Sequence, residues 1–272
     1  MSVLSVADCH VALDGTEIVR GVSFDVGSGT FLGLIGPNGC GKTTLLRAIA
    51  GIIDFEGSIR IDGRPVADWS DSERARRLAF VRQAPSLTFD FTVEEFVLLG
   101  RTPHTGWLRS YRAEDRSRVA EALVEVDLEG FGDRSMLSLS GGEVQRAFLA
   151  QALVQEAEVL LLDEPTSHLD VRYQYTFMDR VERLVRRGRT ACTVAHDLEL
   201  AARYADRLLV MSDGRIVADG RPGTVVTPDL IADVFGMRAT VDRAADGGLR
   251  ITYDGPVSSH PATDGVPEEA LT

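Results

Sequence analysis

Lysine is almost absent from this chain of 272 residues: 28 of its 29 basic side chains are arginine, and the exception is Lys42. A general pressure toward arginine explains every position but that one, where a compact point charge that can enter a phosphate cradle has been kept. Long apolar runs are missing too. The longest, such as Phe31–Ile35, Val159–Leu162 and Leu208–Met211, are strand-length against the roughly 18 residues of a membrane span, so no bilayer crossing is expected. No basic stretch followed by an apolar one opens the chain, which gives no sign of secretion and makes the cytoplasm the default compartment. Only three cysteines occur, Cys9, Cys40 and Cys192. They are too scattered for a disulfide framework or a zinc site and fit reduced thiols. Basic charge is in deficit as well: a net charge of -12 repels phosphodiester backbones and anionic lipid, so no nucleic-acid partner is expected.

What remains is an ordinary globular composition, 44% hydrophobic and 26% charged. The length suits one large core with an inserted lobe. The apolar stretch Phe31–Ile35 runs into GPNGCGKTT and then into a helical apolar pattern at Leu45, Leu46, Ala48 and Ile49. Strand, glycine loop and helix in that order make a phosphate cradle. In it the loop of Gly36, Pro37, Asn38, Gly39, Cys40, Gly41, Lys42, Thr43 and Thr44 surrounds an anion at a helix N-terminus, its glycines turning successive backbone N–H groups inward. Lys42 reaches the β- and γ-phosphates of ATP there, and Thr43 ligates Mg2+. Farther on, Val159–Leu162 reads as a buried parallel strand ending in Asp163 and Glu164, at the crevice where open α/β sheets bind ligands. Asp163 is assigned to the metal through a water, and Glu164 to general base catalysis on the attacking water. Cys40, beside Lys42 and a helix N-terminus, has two readings: its backbone serves the loop and its side chain is incidental, or its thiol pKa is lowered and it is alkylated unless MgATP protects it.

A P-loop and an acidic strand end alone leave kinases, GTPases and helicases open. The segment LSGGE at Leu139–Glu143, continuing Val144, Gln145, Arg146, resembles the signature sequence of the ABC ATPase family. On its own it is equally a loop and helix cap, in which Ser140 caps and Gly141 and Gly142 expose amides. The other motifs follow in the family's order over roughly residues 4–250. Gln83, after Leu78–Val81, resembles the Q-loop glutamine, which meets the metal and the water; PTSHLD, ending at Asp170, resembles the D-loop; His196, after Thr190–Val194, resembles the switch histidine. The family usually stacks an aromatic residue on adenine, and here the aligned position is Leu13, which implies weaker ATP affinity.

The resemblance implies an α/β fold: a P-loop NTPase (RecA-like) core with an N-terminal antiparallel β-subdomain and an inserted helical subdomain. The core is expected over 1–83 and 139–250, the helical subdomain over 84–138, and a disordered tail over 251–272, rich in Pro, Ser, Gly and acids near its end. It also implies a head-to-tail dimer with a second copy, in which Ser140 and Gly142 contact the partner's γ-phosphate. Two transmembrane permease subunits are implied as well, at the cytoplasmic face of the membrane. They would receive cargo from an extracytoplasmic solute-binding protein and dock against Phe89, Phe91 and Gly100–His104, residues that core packing and a proline turn explain equally well. The wording around the motifs is similar to importers of iron chelates, haem and cobalamin. The alternatives are an ABC transporter ATPase for another cargo and a soluble ABC protein of DNA repair, translation or cofactor assembly; repair proteins would carry long coiled coils and translation factors a second cassette, and neither is present. A module that does not turn over would lack Glu164 or His196.

Overall fold

The computed structural model describes residues 2–82, 90–105, 110–167, 169–244 and 247–257. Strands β1 (Ser2–Leu13) and β2 (Thr16–Gly27) form an antiparallel hairpin about Asp14-Gly15, where both residues adopt positive φ, the backbone that a two-residue hairpin turn requires. β3 (Phe31–Ile35) then enters the interior and leads into α1 (Lys42–Ile49). The chain returns beside β1 as β4 (Glu56–Ile61) and the short β5 (Arg64–Pro65), completing a four-stranded sheet. Helix α2 (Asp71–Ala75) precedes β6 (Leu78–Val81). A helical excursion follows, with α3 (Val93–Leu98), α4 (Thr102–Thr105), α5 (Ala113–Glu125) and α6 (Gly141–Val154). Then strands and helices alternate: β7 (Val159–Asp163), α7 (Val171–Arg186), β8 (Thr190–Val194), α8 (Leu198–Tyr204), β9 (Arg207–Ser212) and its hairpin partner β10 (Arg215–Gly220). The short α9 (Pro222–Val225), α10 (Pro228–Phe235) and a final hairpin of β11 (Met237–Arg243) and β12 (Leu249–Pro256) close the described chain.

The central sheet has the order β10-β9-β3-β8-β7-β6, parallel except for β10. Its strands lack polar alternation because both faces are covered. In β7, Leu160 and Leu162 enter the core shared with α3, α5, α6 and α7, while Val159 and Leu161 enter the core under α1 and the β1–β2–β4 sheet. Each such leucine contributes about 1.5–3 kcal/mol by burial. The order places β3, β8 and β7 side by side, so the loops after them, which begin at residues 36, 195 and 164, open at one end of the sheet. Val194 of β8 stands between Leu34 of β3 and Asp163 of β7.

In the helical lobe, capping boxes start α3 (Thr92 with Glu95) and α6 (Ser140 with Glu143), each tying down two amide groups that the first turn leaves unpaired. The rings of Phe96 and Phe148 pack edge to face, centroids 4.8 Å apart. Helix α6 begins beyond residue 138, where the lobe was expected to end, yet its inner face (Ala147, Ala150, Leu153) shares the core of α3 and α5. The tail expected over 251–272 also needs correction. Residues 251–256 form β12, whose Ile251 is buried with Ala239, Ile231 and Leu198; the composition bias of the last residues was extended over a strand with one buried face. Positions 258–272 lie outside the described residues.

Candidate active site

The cradle is built by backbone. At Gly36 φ is +152°, and a Cβ there would lie 2.0 Å from the Met211 carbonyl oxygen, so no side chain fits. Gly41 has φ +103° and stands at the N-cap of α1, which has no side-chain cap and no acid in its first turn. The opening amides of α1 are therefore uncompensated, as an anion site needs. The Lys42 side chain is buried and its Nζ donates to the carbonyls of Gly36 and Pro37, each at 2.8 Å. Asn38 and Gly39 are exposed at the rim, while Thr43 and Thr44 are half-buried. The turn between β9 and β10 supports the loop from behind, Gly214 N–H donating to the Cys40 carbonyl at 3.2 Å and Arg20 N–H to the Gly214 carbonyl at 2.8 Å. The sequence marked Asp213-Gly214 only as a hairpin; nothing in it announces this contact.

Burial counts against the reactive reading of Cys40. Its thiol is buried, and burial pushes its pKa up further than the neighbouring Lys42 charge lowers it. The adjacent cation was legible in the sequence and the desolvation was not. The reactive reading of this thiol is withdrawn.

Thr43 Oγ1 donates to Asp163 Oδ1 at 2.8 Å, joining the cradle to the end of β7. Asp163 is buried, and desolvation raises its pKa, with the Thr43 hydrogen bond opposing and the Glu164 charge reinforcing. Glu164 follows in a left-handed conformation, φ +51°, which costs a non-glycine residue about 1–3 kcal/mol and is typically retained at functional sites. Its carbonyl accepts both the Ser167 amide, at 3.1 Å, and the Ser167 hydroxyl, at 2.8 Å. Ser167, absent from the sequence assignments, thus holds this backbone in place. The Glu164 Oε1 lies 2.6 Å from His196 Nε2, both side chains partly open to solvent. The structure therefore brings together Lys42, Thr43, Asp163, Glu164 and His196. Gln83, Phe89 and His168 of the PTSHLD stretch lie outside the described residues.

A sequence profile of the ABC transporter family matches residues 19–167, more than half of the chain. The chain belongs to this family. It is 45% identical over 227 residues to a hemin import ATP-binding protein, HmuV, of Streptomyces coelicolor, covering 83% of this chain and 80% of the relative. A siderophore transport system ATP-binding protein, YusV, of Bacillus subtilis is 40% identical over 243 residues, 89% of this chain and 88% of the relative. An inward-facing conformation of a metal-chelate type ABC transporter superposes with a TM-score of 0.82 at 25% identity, covering 94% of this chain and 98% of that one. As an ATP-binding subunit of this family the chain is an ATPase.

The remaining assignments of this ABC ATPase lie apart from the cradle. Ser140 and Gly141 are exposed at the start of α6. Glu143 Oε2 accepts from both the amide and the hydroxyl of Ser140, each at 2.7 Å, and these Ser140 bonds hold the Glu143 carboxyl below its usual pKa. A Cβ on Gly141 would meet nothing within 4 Å, whereas one on Gly142 would sit 3.5 Å from the Tyr173 ring. Among the described residues no hydrogen bond or ion pair joins Gly36–Thr44 to Ser140–Gly142. Asp170 is exposed and caps α7 without a side-chain hydrogen bond. Leu13 is exposed at the end of the β1–β2 hairpin, paired with Thr16, and Ile18 two residues on lies against Gly41. Of the docking candidates, Gly100 and Arg101 are structural. A Cβ on Gly100 would be 2.2 Å from the Gln151 carbonyl oxygen, and buried Arg101 donates to Asp115, Glu156 and the Val154 carbonyl. Phe91 packs partly buried against the core.

Proposed function

We propose that this ATPase energises an importer of a metal chelate or corrinoid, in the class of iron-siderophore, haem and cobalamin, by hydrolysing MgATP between two copies of the chain. The observation that carries the hydrolytic part is the Glu164–His196 contact of 2.6 Å at the mouth of a P-loop. In this reading the amides of Gly36–Thr44 and the Lys42 ammonium hold the β- and γ-phosphates, Lys42 exchanging its two loop carbonyls for phosphate oxygens. Glu164 accepts hydrogen bonding from the attacking water and removes its proton, while His196 fixes the γ-phosphate and water in line. Leu13 covers the adenine with an aliphatic face.

The donor set fits Mg2+. Thr43 Oγ1 and Asp163 Oδ1 are hard oxygen donors held together at 2.8 Å. Among the described residues no cluster of three His, Cys, Asp or Glu could cage a metal alone, which suits an ion that arrives with nucleotide phosphates and keeps its waters. Gln83 is assigned to the same ion. When bound, it neutralises charge on the phosphates.

The signature supplies the missing side of the site. Ser140 and Gly142 from a second copy, arranged head to tail, meet the γ-phosphate, and Asp170 faces that partner. No described helix is long and apolar enough to cross a membrane. In this reading the dimer works beneath two permease subunits at the cytoplasmic face, with cargo handed on by an extracytoplasmic binding protein.

The test is Glu164→Gln. Turnover should fall roughly a hundredfold to ten-thousandfold, the range of general base removal, while ATP and Mg2+ convert the protein to a stable dimer visible by size-exclusion light scattering. Rapid phosphate release by that variant overturns the mechanism.

A further inference from the structure

The two glycines of the signature are not equivalent. A Cβ added to Gly141 would meet nothing within 4 Å, but one added to Gly142 would touch an aromatic ring, 3.5 and 3.6 Å from Tyr173 Cγ and Cδ1, and lie 3.9 Å from Leu169 Cδ2. Tyr173 occupies the first turn of α7 and is 42% exposed, so the side chain meets both the signature and solvent. Its hydroxyl makes no hydrogen bond or ion pair among the described residues.

The segment beneath that ring is braced back to the hydrolytic carboxylate. The Glu164 carbonyl takes two hydrogen bonds from Ser167. Gln174, next to Tyr173, donates its amide to the carbonyls of Leu169 and Thr166 at 3.0 and 3.4 Å. The Tyr173 amide itself donates to the Asp170 carbonyl at 2.8 Å. A short, internally bonded stretch of chain thus runs from the strained Glu164 backbone to the underside of Gly142.

We propose that Tyr173 is a positioning residue, the seat that fixes the signature glycine Gly142 relative to the loop carrying Glu164. The assignment rests on the dimer reading above, in which the signature serves the partner's nucleotide. Contact is through the ring and not the hydroxyl, so Phe should replace Tyr. Because Tyr173 is 42% exposed and the buried residues of α7 lie farther along the helix, among them Phe177, Met178 and Val181, removing the ring leaves the core of α7 intact.

The experiment is an ATP titration of dimer formation in the Glu164→Gln background with Mg2+ present, read by light scattering. Adding Tyr173→Ala should raise the half-maximal ATP concentration roughly tenfold, within the range that a misplaced contact group produces, and Tyr173→Phe should leave it unchanged. Thermal melting and binding of a fluorescent ATP analogue to the monomer, which depend on the fold and the P-loop, should match the parent in both. Should the alanine variant fold poorly, Tyr173→Leu, which fills the site without a ring, should still shift the midpoint. If Glu164→Gln forms no ATP-dependent dimer, the dimer reading fails; if it dimerises and removing the ring shifts the midpoint less than twofold, the assignment of Tyr173 is overturned.

Discussion

The cradle end and the signature end of the site are built by opposite means. At the cradle the groups are wired to one another, with Lys42 and Asp163 buried and Glu164 and His196 partly open: Lys42 to loop carbonyls, Thr43 to Asp163, Glu164 to His196. At the signature Ser140 and Gly141 are exposed, Ser140 is hydrogen-bonded among the described residues only within its own helical turn, and a Cβ on Gly141 would meet nothing within 4 Å. A prewired end can hold its ligand alone, whereas an exposed and self-satisfied end needs something brought to it. The difference teaches that nucleotide binding and nucleotide hydrolysis should be separable by mutation.

Lys42→Ala should break the first end most severely. Losing hydrogen bonds to a charged phosphate costs about 1.5–3 kcal/mol, roughly a tenfold to hundredfold loss of affinity in a fluorescent nucleotide titration. Asp163 offers a pH test of the same end. Its folded-state pKa is raised by burial, so the protonated form is favoured in the fold and its neutralisation begins at higher pH than for an ordinary aspartate. Magnesium-dependent nucleotide binding, which needs the carboxylate, should therefore fall on acidification at higher pH than a carboxyl near its reference value of about 3.9 would allow. Asp163→Asn should remove that dependence in a calorimetric titration. Ser140→Ala should spare nucleotide binding by the monomer but lower kcat, and loss of its cap should reduce stability by about 1 kcal/mol in urea melts. Leu13→Tyr should have the smallest effect, tightening ATP by about 0.5–1.5 kcal/mol through stacking; an unchanged dissociation constant removes Leu13 from the site.

Much of the prewired end was legible in the sequence, because strands buried on both faces leave continuous apolar runs. Phe31–Ile35, Leu78–Val81 and Thr190–Val194 appear as β3, β6 and β8 with the expected bounds, and the motifs fall at their ends. What pattern could not carry was environment. The reactive reading of the Cys40 thiol could be raised from sequence but not decided there, because its neighbouring charge is a sequence fact and its desolvation is a three-dimensional one. The bracing of Glu164 by Ser167 is a backbone contact with no compositional trace. Tyr173 sits on the solvent side of an amphipathic helix, where an aromatic residue looks incidental until the glycine above it is seen. The residues of β12 were absorbed into the tail because alternation in so short a stretch is weaker than the composition bias beyond it.

The resting position of Lys42 has a consequence for turnover. With its ammonium held by two carbonyls of its own loop, the cradle is propped in its working shape before ATP arrives, so little ordering cost remains for the ligand to meet. The same carbonyls give the ammonium somewhere to return, so grip on the phosphates is an exchange of partners and not a net gain of bonds. A nucleotide held by exchange can be held selectively without being held permanently, as a cyclic motor that must discard ADP requires.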